Sequence, residues 1–467
     1  MINNIKHIHF IGIKGVAMAA LAILAKRAGI KVTGSDVSEQ FITDSVLKRF
    51  GIGWNNGFSK KNIEGNPDLV IVTGAHGGMT NPEAMEAQKK GLNVLMHGKA
   101  LGKIMDGYFQ ISVAGCHGKT TTSAITAHIL SKSGLSPSFA IGCADIPSLK
   151  TPGFLGDSKY FIAEADEYMT DPKTDKTPRF LWQKPNILAI TNIEYDHPDA
   201  FKNINEVKKA FLMLVSKMPK DGKVICCVDN ENVNSILKSI DRKVITYGFS
   251  SKSDWVISNI RFIKEKTRFS LKYKGQNKGD IDIKIPGGHN ALNSTASLII
   301  ALELGIKLDD IKIYLPLFSG TKRRFEFITE KNGIKLYDDY AHHPTEIIAT
   351  LKAARKIFPN NRIICIFQPH TYSRTKSLFK NFVKSFKNTD IAIITDIYSS
   401  SREVHDINIS GKILADELLK SNPSSIYIKG EREIGIYLKN NSRSGDIIFT
   451  MGAGDIFRWH KTIINSI

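Results

Sequence analysis

The sequence of 467 residues contains only five cysteines, and no two of them form a CxxC pair. We therefore predict neither a disulfide framework nor a cysteine-based zinc site, because both depend on paired cysteines at regular spacings. The chain also lacks any uninterrupted apolar run of the roughly 18 residues that a membrane span requires. The cysteines are Cys116, Cys143, Cys226, Cys227 and Cys365. We expect them to be ordinary reduced thiols in a protein that does not cross a membrane.

A secretion signal is missing as well. The N-terminus, "MINNIKHIHFIGI", has a short apolar run that fits a first strand better than a signal-peptide core. No small-residue cleavage site follows this run. We therefore expect a cytoplasmic protein.

Acidic residues are in deficit, with 45 Asp and Glu against 64 Lys and Arg, and the net charge is +19. Such a charge suits nucleic acid, an anionic surface or an anionic substrate. The basic residues are scattered along the whole chain and form no block, and no aromatic-basic cluster of the base-stacking kind is present. We therefore predict a solvated basic surface with no nucleic-acid partner. A nucleic-acid-stimulated ATPase stays open as an alternative.

Short apolar runs alternate with helical patterns along the chain, from "KHIHFIGI" to "GDIIFTMGAGD". Strands and helices alternating at this pace predict an α/β fold, with parallel sheets covered by helices. Between about residues 254 and 285 the pattern changes to short segments typical of antiparallel strands. We predict three consecutive α/β domains at residues 1–107, 108–320 and 321–467, the second of which carries the added antiparallel strands.

The stretch "VAGCHGKTTTSAI", residues 113–125, ends a predicted strand and opens a predicted helix. In this context Gly-Lys-Thr is the core of a phosphate-binding loop, in which Lys119 reaches the terminal phosphates and the Thr120 hydroxyl binds Mg²⁺. Val113 stands where the usual first glycine would be, so the loop is a shortened form. The central domain is therefore expected to be P-loop ATPase-like, between two Rossmann-like domains.

Acidic residues follow two further predicted strands. The segment "FIAEADEY" ends in three carboxylates, the first of which is Glu164. A carboxylate at a strand end beside a phosphate loop is in the right place to ligate Mg²⁺. The segment "TNIEYDHPDAF" brings an Asn, two carboxylates and His197 together within six residues. A neutral imidazole can ligate a metal, although a lone histidine more often only satisfies hydrogen bonds.

The N-terminal motif "GIKGVA" lies between a predicted strand and a predicted helix, with Asp36 about twenty residues further on. Lys14 and Ala17 replace the second and third glycines of a dinucleotide fingerprint, which weakens the case for a nicotinamide cofactor. A Gly-rich βα turn can still hold a diphosphate at the helix N-terminus, and Lys14 would add positive charge. We predict an anionic diphosphate ligand near Gly12 and Gly15.

Two polar clusters mark the predicted C-terminal domain. The segment "DDYAHHPTE" contains two adjacent histidines, and "FQPHTYSRT" contains His370 and Arg374. Both follow predicted strands, where α/β sheets place their ligands. The segment "GTKRRF" lies at the hinge before this domain, so Arg323 or Arg324 could cross to a phosphate bound on the central domain.

Together these motifs resemble the Mur ligases, the ATP-dependent amide-forming enzymes of peptidoglycan synthesis. "GCHGKTTT" is similar to the short phosphate loop of that family, "EADE" and "NIEYDH" to its metal-binding segments, and "GGHNALN" to its adenine-side segment. "GTKRRFE" and "DDYAHHPTE" are similar to its hinge and third domain. The resemblance runs nearly end to end in the right order. It implies a UDP-sugar-binding N-terminal domain, a central ATPase domain and a C-terminal domain that closes with the incoming amino acid.

The motifs and the resemblance together assign expected roles to individual residues. The expected catalytic residues are Lys119, His197, Arg323 and Arg324; the ATP contacts are Gly115, Cys116, His117, Gly118, Lys119, Thr120, Thr121, His289, Asn290 and Asp339; the Mg²⁺ ligands are Thr120, Glu164 and His197; and the substrate contacts are Gly12, Lys14, Gly15, Asp36, Tyr168, His342, His343, His370 and Arg374.

Two kinds of family member are similar to different segments. "HFIGIKGVAMAALA", "TGSD", "FQPHTYSRT" and "GDIIFTMGAGDI" resemble the members that add L-alanine to UDP-N-acetylmuramate through an acyl phosphate. "EADEYMTDPKTDKTPRFLWQKP", with Tyr168, is more similar to the members that join the same sugar to the tripeptide L-alanyl-γ-D-glutamyl-meso-diaminopimelate. The resemblance implies that the C-terminal domain selects the incoming amine, so we expect L-alanine and keep the tripeptide as the alternative. We expect a monomer or homodimer.

Overall fold

The computed structural model describes residues 5–198, 200–263, 266–399, 406–422 and 424–467. Within these ranges the strands form three main sheets and one short separate hairpin. Helices alternate with the strands, so the predicted α/β fold class is confirmed. No helix in the described ranges is both long and apolar enough to cross a membrane. The predicted domain limits at 107 and 320 stay predictions.

The first sheet is parallel, in the order β3-β2-β1-β4-β5. Its strands and their helices are β1 (His7–Ile11), α1 (Val16–Arg27), β2 (Lys31–Asp36), α2 (Asp44–Arg49), β3 (Asn55–Asn56), β4 (Leu69–Val72), α3 (Pro82–Lys89), β5 (Val94–Met96) and α4 (His97–Met105). We call this part of the chain the N-terminal unit.

The second sheet is the largest, in the order β17-β16-β15-β14-β13-β12-β6-β9-β7-β8. The elements of this part are β6 (Phe109–Ala114), α5 (Lys119–Lys132), β7 (Ser138–Ala140), β8 (Gly153–Phe154), β9 (Tyr160–Ala165), β10 (Met169–Asp171), β11 (Asp175–Pro178), β12 (Ile187–Ile190), α6 (Ile204–Ser216), β13 (Lys223–Cys227), α7 (Glu231–Ile236), β14 (Lys243–Gly248), β15 (Trp255–Ile263), β16 (Lys266–Tyr273), β17 (Gln276–Ile283), α8 (Gly288–Glu303) and α9 (Leu308–Tyr314). We call it the central unit.

The antiparallel strands expected between residues 254 and 285 are present. Strand β16 pairs antiparallel with both β15 and β17, and Phe269 lies opposite Ile281. Side chains of β16 alternate between buried and more exposed positions, because one face of this extension packs on the core and the other faces water.

The third sheet has the order β18-β19-β23-β20-β21-β22 and is parallel except for the β18–β19 hairpin. The elements of this C-terminal unit are β18 (Glu326–Lys331), β19 (Ile334–Asp339), α10 (Pro344–Ile357), β20 (Ile363–Phe367), α11 (Tyr372–Ser377), α12 (Phe379–Val383), β21 (Ile391–Ile394), α13 (Gly411–Leu419), β22 (Ser425–Tyr427), α14 (Glu431–Asn441), β23 (Ile447–Met451) and α15 (His460–Ser466).

Glycines bring the N-terminal and central units into close backbone contact. Helix α1 is built largely of small apolar residues, and its side chains from Met18 to Ala25 are buried. A Cβ atom at Gly153 of β8 would lie 1.9 Å from the carbonyl oxygen of Ala20, and one at Gly102 of α4 would lie 2.2 Å from that of Trp182. Only glycine permits these approaches, so the two sheets share one packed boundary.

Candidate functional site

The phosphate loop connects β6 to α5 in the middle of the central sheet, where β6 lies between β9 and β12. Both ends of the loop require glycine. Gly115 has φ 135° and a Cβ atom there would lie 2.2 Å from Thr191 Oγ1; Gly118 has φ 82° and a Cβ atom there would lie 2.5 Å from Asn293 Oδ1. Gly118 immediately precedes α5, so the loop delivers the helix N-terminus to the carboxyl edge of the sheet, a geometry that suits phosphate.

Lys119 begins α5 and its ammonium lies among acceptors. Nζ donates to the Gly115 carbonyl at 2.6 Å and to Glu167 Oε2 at 3.0 Å, and it lies 3.9 Å from Asp166 Oδ1. Burial opposes the charge, but Glu167 and Asp166 outweigh it and raise the pKa of Lys119. The group is therefore a fixed positive charge at the phosphate loop.

Thr120 and Glu164 are in direct contact, as the sequence led us to expect for two Mg²⁺ ligands. The Thr120 hydroxyl donates to Glu164 Oε2 at 2.8 Å, and the Gly142 N–H donates to Oε1 at 2.7 Å. Burial and the neighbouring Asp166 raise the pKa of Glu164. A carboxylate and a hydroxyl are the hard oxygen donors that Mg²⁺ prefers.

His197 belongs to a second cluster, with Glu167 and Asp196. One ligand atom from each of the three residues lies within 4.8 Å of the others. Glu167 Oε1 is buried without a hydrogen bond and lies 3.5 Å from His197 Nε2. Burial would raise the pKa of Glu167, but Lys119 and His197 lower it to about 2, so this oxygen is anionic. A cation fits this donor set, and our expected ligand list missed both carboxylates of the cluster.

His117 of the phosphate loop lies between two carboxylates from different units. Its Nε2 is 3.3 Å from Glu194 Oε2 of the central unit, and its Nδ1 is 3.3 Å from Glu346 Oε1 of α10. Burial alone would lower the pKa of His117, but Glu346 and Glu194 raise it to about 10. His117, Glu194 and His343 could geometrically hold a metal. A protonated His117 makes this cluster an ion-pair bridge instead.

The two hinge arginines differ in burial and in bonding partners. Arg323 is buried, and its guanidinium donates to Asp338 Oδ2 at 2.7 Å and to the Gly452 carbonyl at 2.6 Å. Arg324 is more exposed and contacts Glu346 at 3.3 Å. Both arginines line the central cavity and Arg324 also lines the neighbouring one, whereas the guanidinium of Arg323 is bonded within the C-terminal unit.

Arg374 crosses from α11 to the central unit. Its Nε donates to Asp196 Oδ1 at 2.7 Å, and both side chains are buried. Burial raises the pKa of Asp196, but Arg374 and His197 outweigh it and hold this pKa well below its usual value. The guanidinium expected to orient an amino acid carboxylate is therefore also bonded to a neighbour of His197.

The three remaining C-terminal candidates lie near one another. His342 and His370 are 6.1 Å apart between ring centroids and line the central cavity. His343 is the N-cap of α10, and its ring centroid lies 4.5 Å from that of His117, with the two rings tilted by 39°. Burial lowers the pKa of His342 to about 4 and that of His343 to about 4, so both rings are neutral at pH 7.

A cavity of about 310 Å³ lies on the other side of the phosphate loop. It is lined by the expected ATP contacts His117, Gly118, Thr121, His289, Asn290 and Asp339, together with Asp229 and Tyr247. Burial raises the pKa of Asp339 to about 6, and Arg324 partly offsets the rise. Asp229 and Tyr247 were not predicted, because no motif surrounds them in the sequence.

The N-terminal candidates divide into turn-forming and buried residues. Gly12 has φ 80°, and a Cβ atom there would lie 2.4 Å from Thr73, while Gly15 precedes the first turn of α1. Asp36 is buried and accepts from the backbone N–H of Lys14 at 2.7 Å. These contacts shape the βα turn that we expected to hold a diphosphate.

The positive charge of Lys14 is held inside the N-terminal unit, although we expected it to face an anionic diphosphate. The side chain is buried, and Nζ donates to the Glu39 carbonyl at 2.5 Å and lies over the Phe41 ring at 4.8 Å. Among the described residues that line the central cavity, Lys14 is absent. Its ammonium is desolvated within the N-terminal unit, which the sequence motif did not reveal.

The central cavity, of about 270 Å³, is lined by all three units. Its lining includes Val16, Ala17 and His97 from the N-terminal unit; Lys119, Glu164, Tyr168 and His197 from the central unit; and Arg324, His342, His370 and Arg374 from the C-terminal unit. Carboxyl edges of separate sheets therefore converge on one space that holds fixed cations, carboxylates and neutral imidazoles. This arrangement suits transfer of a phosphoryl group between two bound substrates.

Comparison with known proteins accounts for this three-part arrangement. Three family descriptions match: "Mur ligase family, catalytic domain" at residues 7–109, "Mur ligase middle domain" at 113–301 and "Mur ligase, glutamate ligase domain" at 323–454. The chain belongs to the Mur ligase family.

Relatives within the Mur ligase family match over almost their whole length. A UDP-N-acetylmuramate--L-alanine ligase of Acetivibrio thermocellus is 41% identical over 98% of this chain and 95% of its own. A ligase of the same name from Desulfitobacterium hafniense is 38% identical over 98% of this chain and 99% of its own. The predicted resemblance is confirmed.

Solved Mur ligase structures share the fold. The UDP-N-acetylmuramate-alanine ligase MurC of Thermotoga maritima superposes with a TM-score of 0.82 at 26% identity, covering 98% of both chains. A murein peptide ligase of Psychrobacter arcticus superposes with a TM-score of 0.72 at 24% identity, covering 99% of this chain and 98% of its own. The second likeness concerns the fold alone.

Proposed function

We propose that this Mur ligase joins L-alanine to UDP-N-acetylmuramate, with ATP converted to ADP and phosphate, in peptidoglycan precursor synthesis. The observation that carries the proposal is the 41% identity to a UDP-N-acetylmuramate--L-alanine ligase over 98% of the chain. The cavity shared by the three units supports it, because the reacting ends of the sugar nucleotide, ATP and the amino acid must meet in one space. The tripeptide alternative is not favoured by these relatives.

The proposed first step is phosphoryl transfer from ATP to the sugar. A lactyl carboxylate oxygen of UDP-N-acetylmuramate attacks the γ-phosphorus, the bond from that phosphorus to the bridging oxygen of ADP breaks, and an acyl phosphate forms. Lys119 and the backbone N–H groups of the phosphate loop hold the phosphates, and Arg324 adds a further cation at the cavity. Positioning and charge neutralisation are the protein's main contributions to this step.

Mg²⁺ is the metal that we propose for this site. Thr120 and Glu164 would hold one ion, and His197 with Glu167 and Asp196 would hold another, as their hard oxygen donors and the orphaned Glu167 oxygen suggest. When bound, Mg²⁺ neutralises phosphate charge. The role of each residue in this set is a proposal.

The proposed second step is attack of the alanine amine on the acyl phosphate carbonyl, which expels phosphate and forms the amide. His342 Nδ1 is 2.9 Å from the Tyr340 carbonyl, which can only accept, so Nδ1 carries the proton and Nε2 can accept a hydrogen bond. His342, His343, His370 and Arg374 are our candidates for orienting alanine. Exclusion of water by the three units protects the acyl phosphate.

The proposal includes the wider organisation of the protein. It assigns UDP-sugar binding to residues 1–107, ATP binding to residues 108–320 and the amino acid side to residues 321–467. It also includes a cytoplasmic monomer or homodimer that acts on small molecules without nucleic acid.

ADP release measured with separate amines tests this function. The purified protein receives ATP, Mg²⁺ and UDP-N-acetylmuramate, and then L-alanine, glycine, L-serine or the tripeptide in separate reactions. We expect L-alanine to give the fastest ADP release, and product to form only with the UDP-sugar present. Release stimulated by the tripeptide alone would contradict the choice of L-alanine, and release independent of the UDP-sugar would contradict the ligase function. Stimulation by added polynucleotide would favour the ATPase alternative.

A further inference from the structure

A short hairpin of the central unit reaches over to the N-terminal unit. It consists of β10 and β11, which pair antiparallel apart from the main sheets. We call residues 168–182, which contain this hairpin and the turn of helix after it, the bridging segment. Its bonds to the N-terminal unit include those of Asp171 and Arg179, one at each end of the hairpin.

Asp171 holds a loop of the N-terminal unit. Its side chain is buried, and Oδ2 accepts from the backbone N–H of Met79 at 3.0 Å. A Cβ atom at Gly78, which has φ 54°, would lie 2.5 Å from the same oxygen. The carboxylate therefore sits directly against the loop backbone, and the loop conformation depends on a glycine at this contact.

The loop that Asp171 holds, residues 73–80, follows β4 at the carboxyl edge of the first sheet. Its first residue, Thr73, is the close neighbour of Gly12, and its His76 lies 3.6 Å from Asp36 Oδ1. Gly12 and Asp36 belong to the turn where we propose that the UDP-sugar binds. A carboxylate of the central unit thus sets the position of a loop beside the proposed sugar-nucleotide site.

Arg179 holds the first turn of α1 through a histidine. Its guanidinium contacts His97 Nδ1 and the Tyr168 hydroxyl. His97 Nε2 lies 3.1 Å from the Ala17 carbonyl, which can only accept, so Nε2 carries the proton and Nδ1 accepts from Arg179. Burial and the Arg179 cation hold the pKa of His97 well below its usual value, in agreement with a neutral ring.

The same arginine is linked to the phosphate loop. The Tyr168 hydroxyl donates to Asp166 Oδ2 at 3.1 Å, and Asp166 lies 3.9 Å from the Lys119 ammonium. A continuous series of polar contacts therefore runs from the surroundings of Lys119 through Arg179 to the first turn of α1. Both His97 and Tyr168 line the central cavity, so the series also shapes its wall.

We propose that the bridging segment positions the UDP-sugar relative to the phosphate loop, and that Asp171 and Arg179 are the positioning residues. The inference rests on the proposed ligase function, which requires the lactyl carboxylate to meet the γ-phosphate. Each residue joins the proposed sugar-nucleotide site to the ATP-binding unit by a bond that a separate N-terminal unit could not make. Their loss should weaken use of the UDP-sugar more than use of ATP.

Steady-state kinetics of four variants tests this inference. Asp171→Ala and Arg179→Gln remove the two contacts, and Asp171→Asn keeps an acceptor oxygen for the Met79 N–H. Lys176→Ala is the matched control, because Lys176 lies on the same hairpin and its side chain is exposed. The measurements are kcat, the KM for UDP-N-acetylmuramate, the KM for ATP, and calorimetric binding of UDP-N-acetylmuramate without ATP.

We expect Asp171→Ala and Arg179→Gln each to raise the KM and the Kd for the UDP-sugar about tenfold or more, which corresponds to about 1.4 kcal/mol. The KM for ATP should change less than about twofold. Asp171→Asn and Lys176→Ala should remain within about threefold of the wild type in every constant, because the contact to Met79 survives in both.

The alternative outcomes are distinguishable. If the segment only stabilises the fold, the variants contain less active enzyme, so the apparent kcat falls while both KM values stay constant; this result would overturn the inference. An unchanged KM for UDP-N-acetylmuramate in both Asp171→Ala and Arg179→Gln would also overturn it. If ADP release by the wild-type enzyme does not depend on the UDP-sugar, that result would overturn the proposed function itself.

Discussion

The two boundaries of the central unit differ in how much apolar packing they contain. Toward the N-terminal unit, Ala140, Phe161 and Ala163 of the central sheet join the hydrophobic cluster around α1. Gly102 and Gly153 allow backbone to touch backbone there. Such apolar contacts are lost as a whole when surfaces separate, so this boundary resists opening.

Toward the C-terminal unit the contacts are polar. Arg374 bonds Asp196 at 2.7 Å, and the Thr345 hydroxyl donates to Glu194 at 2.9 Å. Glu346 contacts His117 of the phosphate loop at 3.3 Å. Water can replace each of these partners when the surfaces separate, so opening costs much less than at the apolar boundary.

This difference indicates that the two boundaries have different functions. We infer that the N-terminal and central units move together, and that the C-terminal unit, which meets the central unit through charged groups, is the part that can separate from them. Closure by charged contacts suits an enzyme that must admit three substrates and release three products in every cycle. Three variants and one change of pH test this contrast.

Arg374→Ala should have the largest effect, on activity. It leaves Asp196 buried without its partner, and opening of the C-terminal unit relieves that penalty by hydrating the carboxylate. We expect kcat/KM to fall by about 10²-fold or more, because the closed geometry is lost. The thermal midpoint should shift less than about 2 °C. Lys376→Ala, on the same helix with its ammonium exposed, is the control and should behave as wild type. A large loss of thermal stability in Arg374→Ala would contradict the polar, separable boundary.

Gly102→Ala should have the largest effect on stability. The added methyl would lie 2.2 Å from the Trp182 carbonyl, so the units must move apart. We expect a loss of about 1–3 kcal/mol in the free energy of unfolding, despite the better helix propensity of alanine. Urea unfolding measures it, and Gly53→Ala, which meets nothing within 4 Å, is the matched control. Equal stability in the two variants would show that the boundary is loosely packed.

Raising the pH should open the C-terminal unit. The pKa of His117 is raised to about 10 by Glu346 and Glu194, against an ordinary value of about 6.5. A raised pKa means that the closed state holds the proton more tightly, so its contribution is full below about pH 6.5 and is lost as pH rises through 10. Small-angle scattering of the ligand-free protein should show an increasing radius of gyration from pH 7 to 10. His117→Gln should remove most of that dependence; an identical dependence in the variant would refute the assignment.

Arg49→Ala should have the smallest effect. Arg49 bonds Asp145 across the N-terminal boundary at 2.9 and 3.0 Å, but its side chain is about half exposed. We expect a loss within about 1 kcal/mol by urea unfolding, with kcat/KM unchanged. A loss larger than that of Gly102→Ala would mean that charges, and not close packing, hold the first boundary together.

Sequence motifs predicted those parts of the site whose residues all come from one short segment. Gly-Lys-Thr at a strand-to-helix turn predicted the loop from β6 to α5, and the structure contains it. Thr120 and Glu164 were expected to share one Mg²⁺ ion, and they are close because Thr120 follows β6 and Glu164 lies near the end of the neighbouring parallel strand β9. The hairpin of the bridging segment was not predicted, since its strands are short and polar.

Sequence alone determined the α/β class, the family and the order of the chemistry-bearing segments, because these depend on local periodicity and short spacings. Only tertiary structure shows what each charge does: Arg323 is bonded inside the C-terminal unit, Arg324 also reaches a second cavity, and Lys14 is buried beside aromatic rings. The physical reason is that burial and partner choice are set by residues far apart in the chain. A local sequence pattern does not predict which carboxylate or carbonyl group a cationic side chain contacts after folding.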